Sequence, residues 1–174
     1  MLRKIFSTKN NLIEPRSSLK DADFEKTGIE INSKIKKLFQ GSLAIRVVTA
    51  GSTNACEQEL VALGNAFYDV DRFGVHFVAS PRHADMIMVT GPVSRNMREA
   101  LIRTDEATPD PKIVIAVGDD AINGGIFRGS YAVLDGAKNV VPVHYNIPGD
   151  PPTPLNIMTS LLNILNDLGK NKNK

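Results

Sequence analysis

Short apolar runs alternate with amphipathic stretches along most of this chain. Residues 43–48, 75–79, 86–90, 113–117 and 140–143 are almost continuously apolar, the pattern of strands buried on both faces. Between them lie helical periodicities. One starts near Asn54 and runs to about Phe67, with Leu60, Val61 and Leu63 on its apolar face. A second follows Ser94, an N-cap residue type, and carries Met97, Leu101 and Ile102 until Pro109 and Pro111 stop it. A third opens at Pro154, where a first helical turn tolerates proline, and carries Ile157, Leu161, Leu162 and Leu165. Pro81 and Gly91-Pro92 mark connecting loops. Strand–helix alternation predicts an α/β domain over residues 42–168, a mainly parallel sheet covered on both faces, with right-handed crossovers bringing the strands' carboxyl ends to one edge.

Residues 1–41 read as an N-terminal extension. Residues 7–28 are polar, with Pro15 and Gly28 as breakers, and are expected to be loosely structured. A short amphipathic helix follows, with Ile29, Ile31, Ile35, Leu38 and Phe39 against Lys34, Lys36 and Lys37. Residues 169–174 form a basic tail.

Composition narrows the function. With 174 residues and a net charge of +2, the chain is long enough for one full core and carries no general attraction for nucleic acid. Residues 1–41 hold nine Lys/Arg against five Asp/Glu, an excess that reads as solvated termini. One cysteine, Cys56, excludes an internal disulfide and by itself supplies no zinc or iron–sulfur site. No apolar run approaches the ~20 residues that span a bilayer. No secretory core is legible at the N-terminus, so a cytoplasmic protein is expected, reaching a membrane only through other subunits.

The segment Ala50-Gly51-Ser52-Thr53-Asn54-Ala55-Cys56-Glu57-Gln58-Glu59 joins the first strand to the first helix, the place where open α/β sheets bind ligands. Gly51 permits a tight turn, and Ser52, Thr53 or Asn54 can cap the helix. Glu57 and Glu59 suit its positive end. Four loops are expected at the edge: 53–56, Arg82-His83, Asp119-Asp120 and Gly149-Asp150. The residue types there leave three readings open. Cys56 could act as a nucleophile with His83 or His144 as base. Asp119, Asp120, Asp150 and Glu57 could hold Mg²⁺ or Mn²⁺. Otherwise the aspartates shape turns beside glycine and proline, and Cys56 is simply buried. His76, inside a strand, reads as structural, and so can His83.

Several motifs reach further. Arg72-Phe73-Gly74, Ser80-Pro81-Arg82-His83-Ala84-Asp85, Val89-Thr90-Gly91-Pro92-Val93, Asn123-Gly124-Gly125-Ile126-Phe127 and Ile147-Pro148-Gly149-Asp150-Pro151-Pro152 stand in fixed order. Together they resemble the small, cluster-bearing subunit of energy-converting [NiFe]-hydrogenases and formate hydrogenlyase. The terminal-cluster subunit of respiratory complex I (NADH:quinone oxidoreductase) is a relative. The resemblance spans about residues 34–165; the spacing from Thr53 to Cys56 and the Arg82-His83 pair are closer to the hydrogenase branch. It implies a flavodoxin-like, doubly wound α/β domain packed on a catalytic large subunit beside membrane subunits, peripheral on the cytoplasmic face of the inner membrane.

In that family four cysteines hold one [4Fe–4S] cluster. Carried over position by position, they fall here on Thr53, Cys56, Asp120 and Asp150, with Glu59, Arg82 and His83 nearby; only Cys56 is a cysteine. Thr49 and His144 stand where an aspartate is usual. Cubanes are held by thiolates, so the resemblance implies a degenerate, cluster-less homologue acting as a structural subunit, with no catalysis of its own. It would use the Arg82-His83 edge and the glycine-rich loop as contact surfaces. The alternatives are an electron-transferring subunit with an unconventionally ligated cluster, and a mononuclear metal site on Cys56, Asp120 and Asp150.

Overall fold

The computed structural model describes residues 19–171. The polar segment over residues 7–18 and the final lysines of the tail, Lys172 and Lys174, lie outside them. Five strands form one sheet: β1 (Leu43–Thr49), β2 (Val75–Phe77), β3 (Met86–Thr90), β4 (Ile113–Val117) and β5 (Tyr145–Ile147). Every pairing is parallel and the order is β2-β1-β3-β4-β5, the flavodoxin-like arrangement. The helices are α1 (Leu19–Phe39), α2 (Ala55–Leu63), α3 (Arg98–Ala107), α4 (Asp119–Asn123) and α5 (Pro154–Asn171).

Strand alternation sends successive side chains to opposite faces. Met86 and Met88 join Leu43, Ile45, Ile31, Ile35, Leu60 and Leu161 in one core under α1, α2 and α5. Ile87 and Val89 join Val48, Val114, Leu101 and Ala121 in the other, under α3 and α4. Central β3 is buried at every position, which is why its sequence shows no polar alternation.

Five elements differ from the sequence reading. Helix α1 begins at Leu19 and runs through Gly28, so residues 19–28 are helix and not a loose lead-in. Gly28 is there for packing: a Cβ on it would lie 2.4 Å from the Phe73 ring. Phe24, Ile31 and Ile35 enter the core, whereas Ile29 is exposed. Helix α2 stops at Leu63 rather than near Phe67, with Gly64 as its C-cap; the Asn65 side chain accepts the Phe67 and Tyr68 N–H groups of the turn that follows. Strand β2 is shorter than expected, ending at Phe77.

The fifth strand is Tyr145–Ile147 and not residues 140–143. Pro142 has no N–H to give a ladder, and Val140 and Val141 pack onto the α3 side. The His144 N–H instead reaches Val114 O at 2.8 Å, starting the true pairing one residue before β5. Ser94 is not the N-cap of α3. Met97 holds that position without a side-chain cap, and the Ser94 carbonyl takes the Met97 and Arg98 N–H groups.

Candidate functional site

Strands β1 and β3 part at the topological switch point, since the chain leaves β1 toward β2 and leaves β3 toward β4. The loop after β1 closes over this crevice. Its Ala50 N–H bonds Thr90 O, and its Ala50 O accepts from Ser94 N–H. Gly91, at φ 81°, leaves room for it: a Cβ there would stand 2.6 Å from Ser52 N. Asn54 occupies the cap position of α2 in a left-handed conformation without a side-chain bond. Ser52 serves the turn instead, accepting from Asn54 N–H at 3.0 Å.

Glu57 is the residue whose role the sequence under-read. Ser52 Oγ donates to its Oε2 at 2.6 Å, and Thr90 Oγ1 donates to its Oε1. One carboxylate thus ties the β1 loop, α2 and the end of β3 together. A hydroxyl three residues into a tight turn and another at a strand terminus gave no recognisable spacing.

Cys56 lies in the first turn of α2 and is buried, at 5% exposure. Its Sγ lies against Gly118 at the end of β4, where an added Cβ would come within 2.4 Å of the sulfur. Burial, and then the charges of Glu57, Asp150, Asp120 and Asp119, push the thiol up to about 11. That is the reverse of an activated nucleophile. Neither proposed base is brought to it. His144 precedes β5, and its Nδ1 accepts from Val114 N–H at 3.0 Å near the start of β4. His83 is exposed in the connection from β2 to β3.

That connection also removes Arg82-His83 from the expected group of loops. Val78 N–H bonds Ile45 O and Asp85 N–H bonds Ala44 O, which ties the segment to the amino-terminal half of β1. Arg82 and His83 are exposed in the 3₁₀ turn Pro81–His83, which packs against α3. Of the four expected loops three converge: those after β1, β4 and β5. The last two are clasped reciprocally. Asp119 N–H bonds Gly149 O, at 3.0 Å, and Gly149 N–H bonds Asp119 Oδ1, also at 3.0 Å.

Asp120 is buried at 5% exposure, and its Oδ1 has no hydrogen-bond partner. Burial comes first, and then the neighbouring Asp150 and Asp119, in raising its carboxyl above the ordinary range, against the lowering effect of the Ile126 N–H. Gly125 faces this oxygen so closely that a Cβ would fall 1.9 Å from it. Thr53 and Asp150 are exposed, Glu59 is half-buried, and Thr49 is exposed at the end of β1. Among the described residues no three His, Cys, Asp or Glu side chains are grouped to hold a metal ion.

At the four positions that the resemblance assigns to cluster ligands, the donors are one buried thiol whose proton is held on, one buried carboxyl, one exposed aspartate and one exposed hydroxyl. This set does not fit a [4Fe–4S] cubane, which needs thiolate sulfur.

Comparison with known proteins places these features in context. The family model described as NADH ubiquinone oxidoreductase, 20 Kd subunit, matches residues 54–164. An uncharacterized protein of Methanocaldococcus jannaschii is 41% identical over 131 residues, 75% of this chain and 88% of that protein. Formate hydrogenlyase subunit 7 of Escherichia coli is 43% identical over 122 residues, 70% of this chain. This chain spans only 48% of that relative's length. Among solved structures, a chain of the membrane-bound sulfane sulfur reductase, an archaeal respiratory membrane complex, superposes with a TM-score of 0.65 at 34% identity. The match covers 78% of this chain and 72% of that one. Among the described residues, no helix is long and apolar enough to cross a membrane.

Proposed function

The chain belongs to the NADH ubiquinone oxidoreductase 20 Kd subunit family, and we propose that it is a non-redox structural subunit of a hydrogenase-like or complex-I-like membrane assembly. It docks on a catalytic large subunit and on membrane subunits at the cytoplasmic face of the inner membrane, adding no membrane span among its described residues. One observation carries the reading. The parallel sheet is complete around the switch point, yet Thr53, Cys56, Asp120 and Asp150 stand where the resemblance expects four cluster cysteines, and the sole thiol is buried with its proton held on. The exposed Arg82-His83 turn, and Ile126 and Tyr131, which stand 80% and 90% exposed along the glycine-rich loop, offer contact surfaces.

The test is iron and acid-labile sulfide in the purified assembly, counted per copy of this chain, with visible absorbance. Iron well below stoichiometry is expected at this subunit. About four iron atoms per chain assigned to it, the content of one cubane, would end the structural reading and restore an electron-transferring subunit.

A further inference from the structure

A groove beside the carboxyl half of β1 plays no part in the reading above. Strand β2 has three residues and pairs only with Leu43, Ala44 and Ile45. Leu43 N–H bonds Gly74 O and Ile45 O accepts from Val78 N–H, both toward β2; Ala44 and Ala50 bond toward β3. By strand alternation the N–H and C=O groups of Val47 and Thr49 also face the β2 side, past the point where the pairing ends. An open edge of this kind is a template for an added strand.

Beside this edge is a groove of about 700 Å³, lined by Val47, Val61, Phe77, Met97 and the side chain of Arg46. Its rim is apolar and open, with Val61 71% and Phe77 37% exposed. Arg46 is half-buried in it. Its Nε is buried with no hydrogen-bond partner, and among the described residues it forms no ion pair. The groove's own carboxylate, Glu57, is already engaged by Ser52 and Thr90. A buried Nε–H without an acceptor is unsatisfied, and a carboxylate presented to the guanidinium fork would satisfy it.

We infer that this groove receives an extended, acidic segment of a neighbouring subunit, which pairs with the Val47–Thr49 edge as an added strand and sets a carboxylate on Arg46. The inference rests on the assembly reading above and specifies one of its interfaces. Strand edge, apolar rim and lone cation together favour a peptide over a small amphiphile, since only a peptide satisfies all of them.

The experiment uses the native assembly. Amide exchange at Val47 and Thr49 is compared between the free chain and the chain in its complex. A photo-reactive benzoylphenylalanine at position 77 is cross-linked in the complex and the adduct sequenced. Protection of both amides by tenfold or more is expected, with an adduct on one partner segment containing Asp or Glu. Arg46→Gln should lower recovery of the chain in the complex several-fold without lowering its free-state melting, and Arg46→Lys should restore part of that recovery. Unprotected amides, or an adduct to lipid or another small molecule, in a chain that still co-purifies would overturn the inference and leave the assembly reading standing. A chain that never co-purifies overturns both.

Discussion

Gly118→Ala tests whether the Cys56 thiol is seated where it must be for the site to lack a thiolate donor. Gly118 has φ 88° and ψ 155°, a region almost closed to residues with a Cβ, so alanine there costs about 1–3 kcal/mol in backbone strain. The new methyl would also start 2.4 Å from Cys56 Sγ and 3.4 Å from Gly149 O; overpacking of this kind adds about 1–3 kcal/mol. The total loss is about 2–6 kcal/mol, a large part of the ~5–15 kcal/mol that holds a typical domain. Cys56→Ala alone removes one buried sulfur, for about 1 kcal/mol. In the double variant the clash and the cavity both disappear and only the backbone strain remains, so the two changes compensate by about 2–4 kcal/mol. Urea unfolding of the wild type and the three variants measures this directly. If Gly118→Ala is too unstable to melt, Cys56→Ala must rescue it. Costs that add to within about 0.5 kcal/mol would show that the sulfur does not rest on Gly118, and the argument for a sequestered thiol would fall with it.

Two further outcomes follow from the same loops. Asp120 has its carboxyl raised by burial, Asp150 and Asp119, so the folded chain binds that proton more readily than the unfolded chain. Its contribution is therefore full below the ordinary carboxyl pKa and is lost as pH rises through the raised folded value. Asp120→Asn stays neutral throughout, so its stability relative to wild type should climb across that window and then level off in a urea series at stepped pH; a falling difference refutes the assignment. Thr53→Cys, Asp120→Cys and Asp150→Cys made together should take up iron and sulfide during anaerobic reconstitution and absorb in the visible. A folded but colourless triple variant would mean that the loops no longer keep the family's geometry.

What the sequence disclosed depended on whether the signal was local. Strands β3 and β4 were legible to the residue because Met86–Thr90 and Ile113–Val117 are apolar runs closed by glycine, and strands buried on both faces leave no other pattern. Gly28 misled because a glycine chosen for contact with Phe73 looks the same in sequence as a helix breaker. Val140–Val141 misled because two valines before Pro142 serve the α3-side core as well as they would serve a ladder. The positions of Cys56, Asp119, Asp120 and Asp150 at the carboxyl edge followed from strand order. The displacement of Arg82-His83 did not, since it depends on the backbone bonds from Val78 and Asp85 to β1. Glu57's partners, Ser52 and Thr90, are 5 and 33 residues away, and the second has no sequence signature at all.

The loops at the carboxyl edge are tied to one another by bonds of the chain's own residues. Here each junction has its own fastening. Ser52, Glu57 and Thr90 join the β1 loop to the end of β3 through two hydroxyl-to-carboxylate bonds, the strong, charge-assisted kind. Asp119 and Gly149 join the β4 and β5 loops by a reciprocal pair. Cys56 joins the first set to the second by contact, its sulfur lying on Gly118. Each of these fastenings uses acceptor oxygens or van der Waals contact and needs no metal. Burial first, and then the charges of Glu57, Asp150, Asp120 and Asp119, hold the proton on the thiol and so disfavour a thiolate there. The side-chain bonds that fasten these loops run through Glu57 and Asp119, so the proposed non-redox role is compatible with an intact fold at the level of individual bonds.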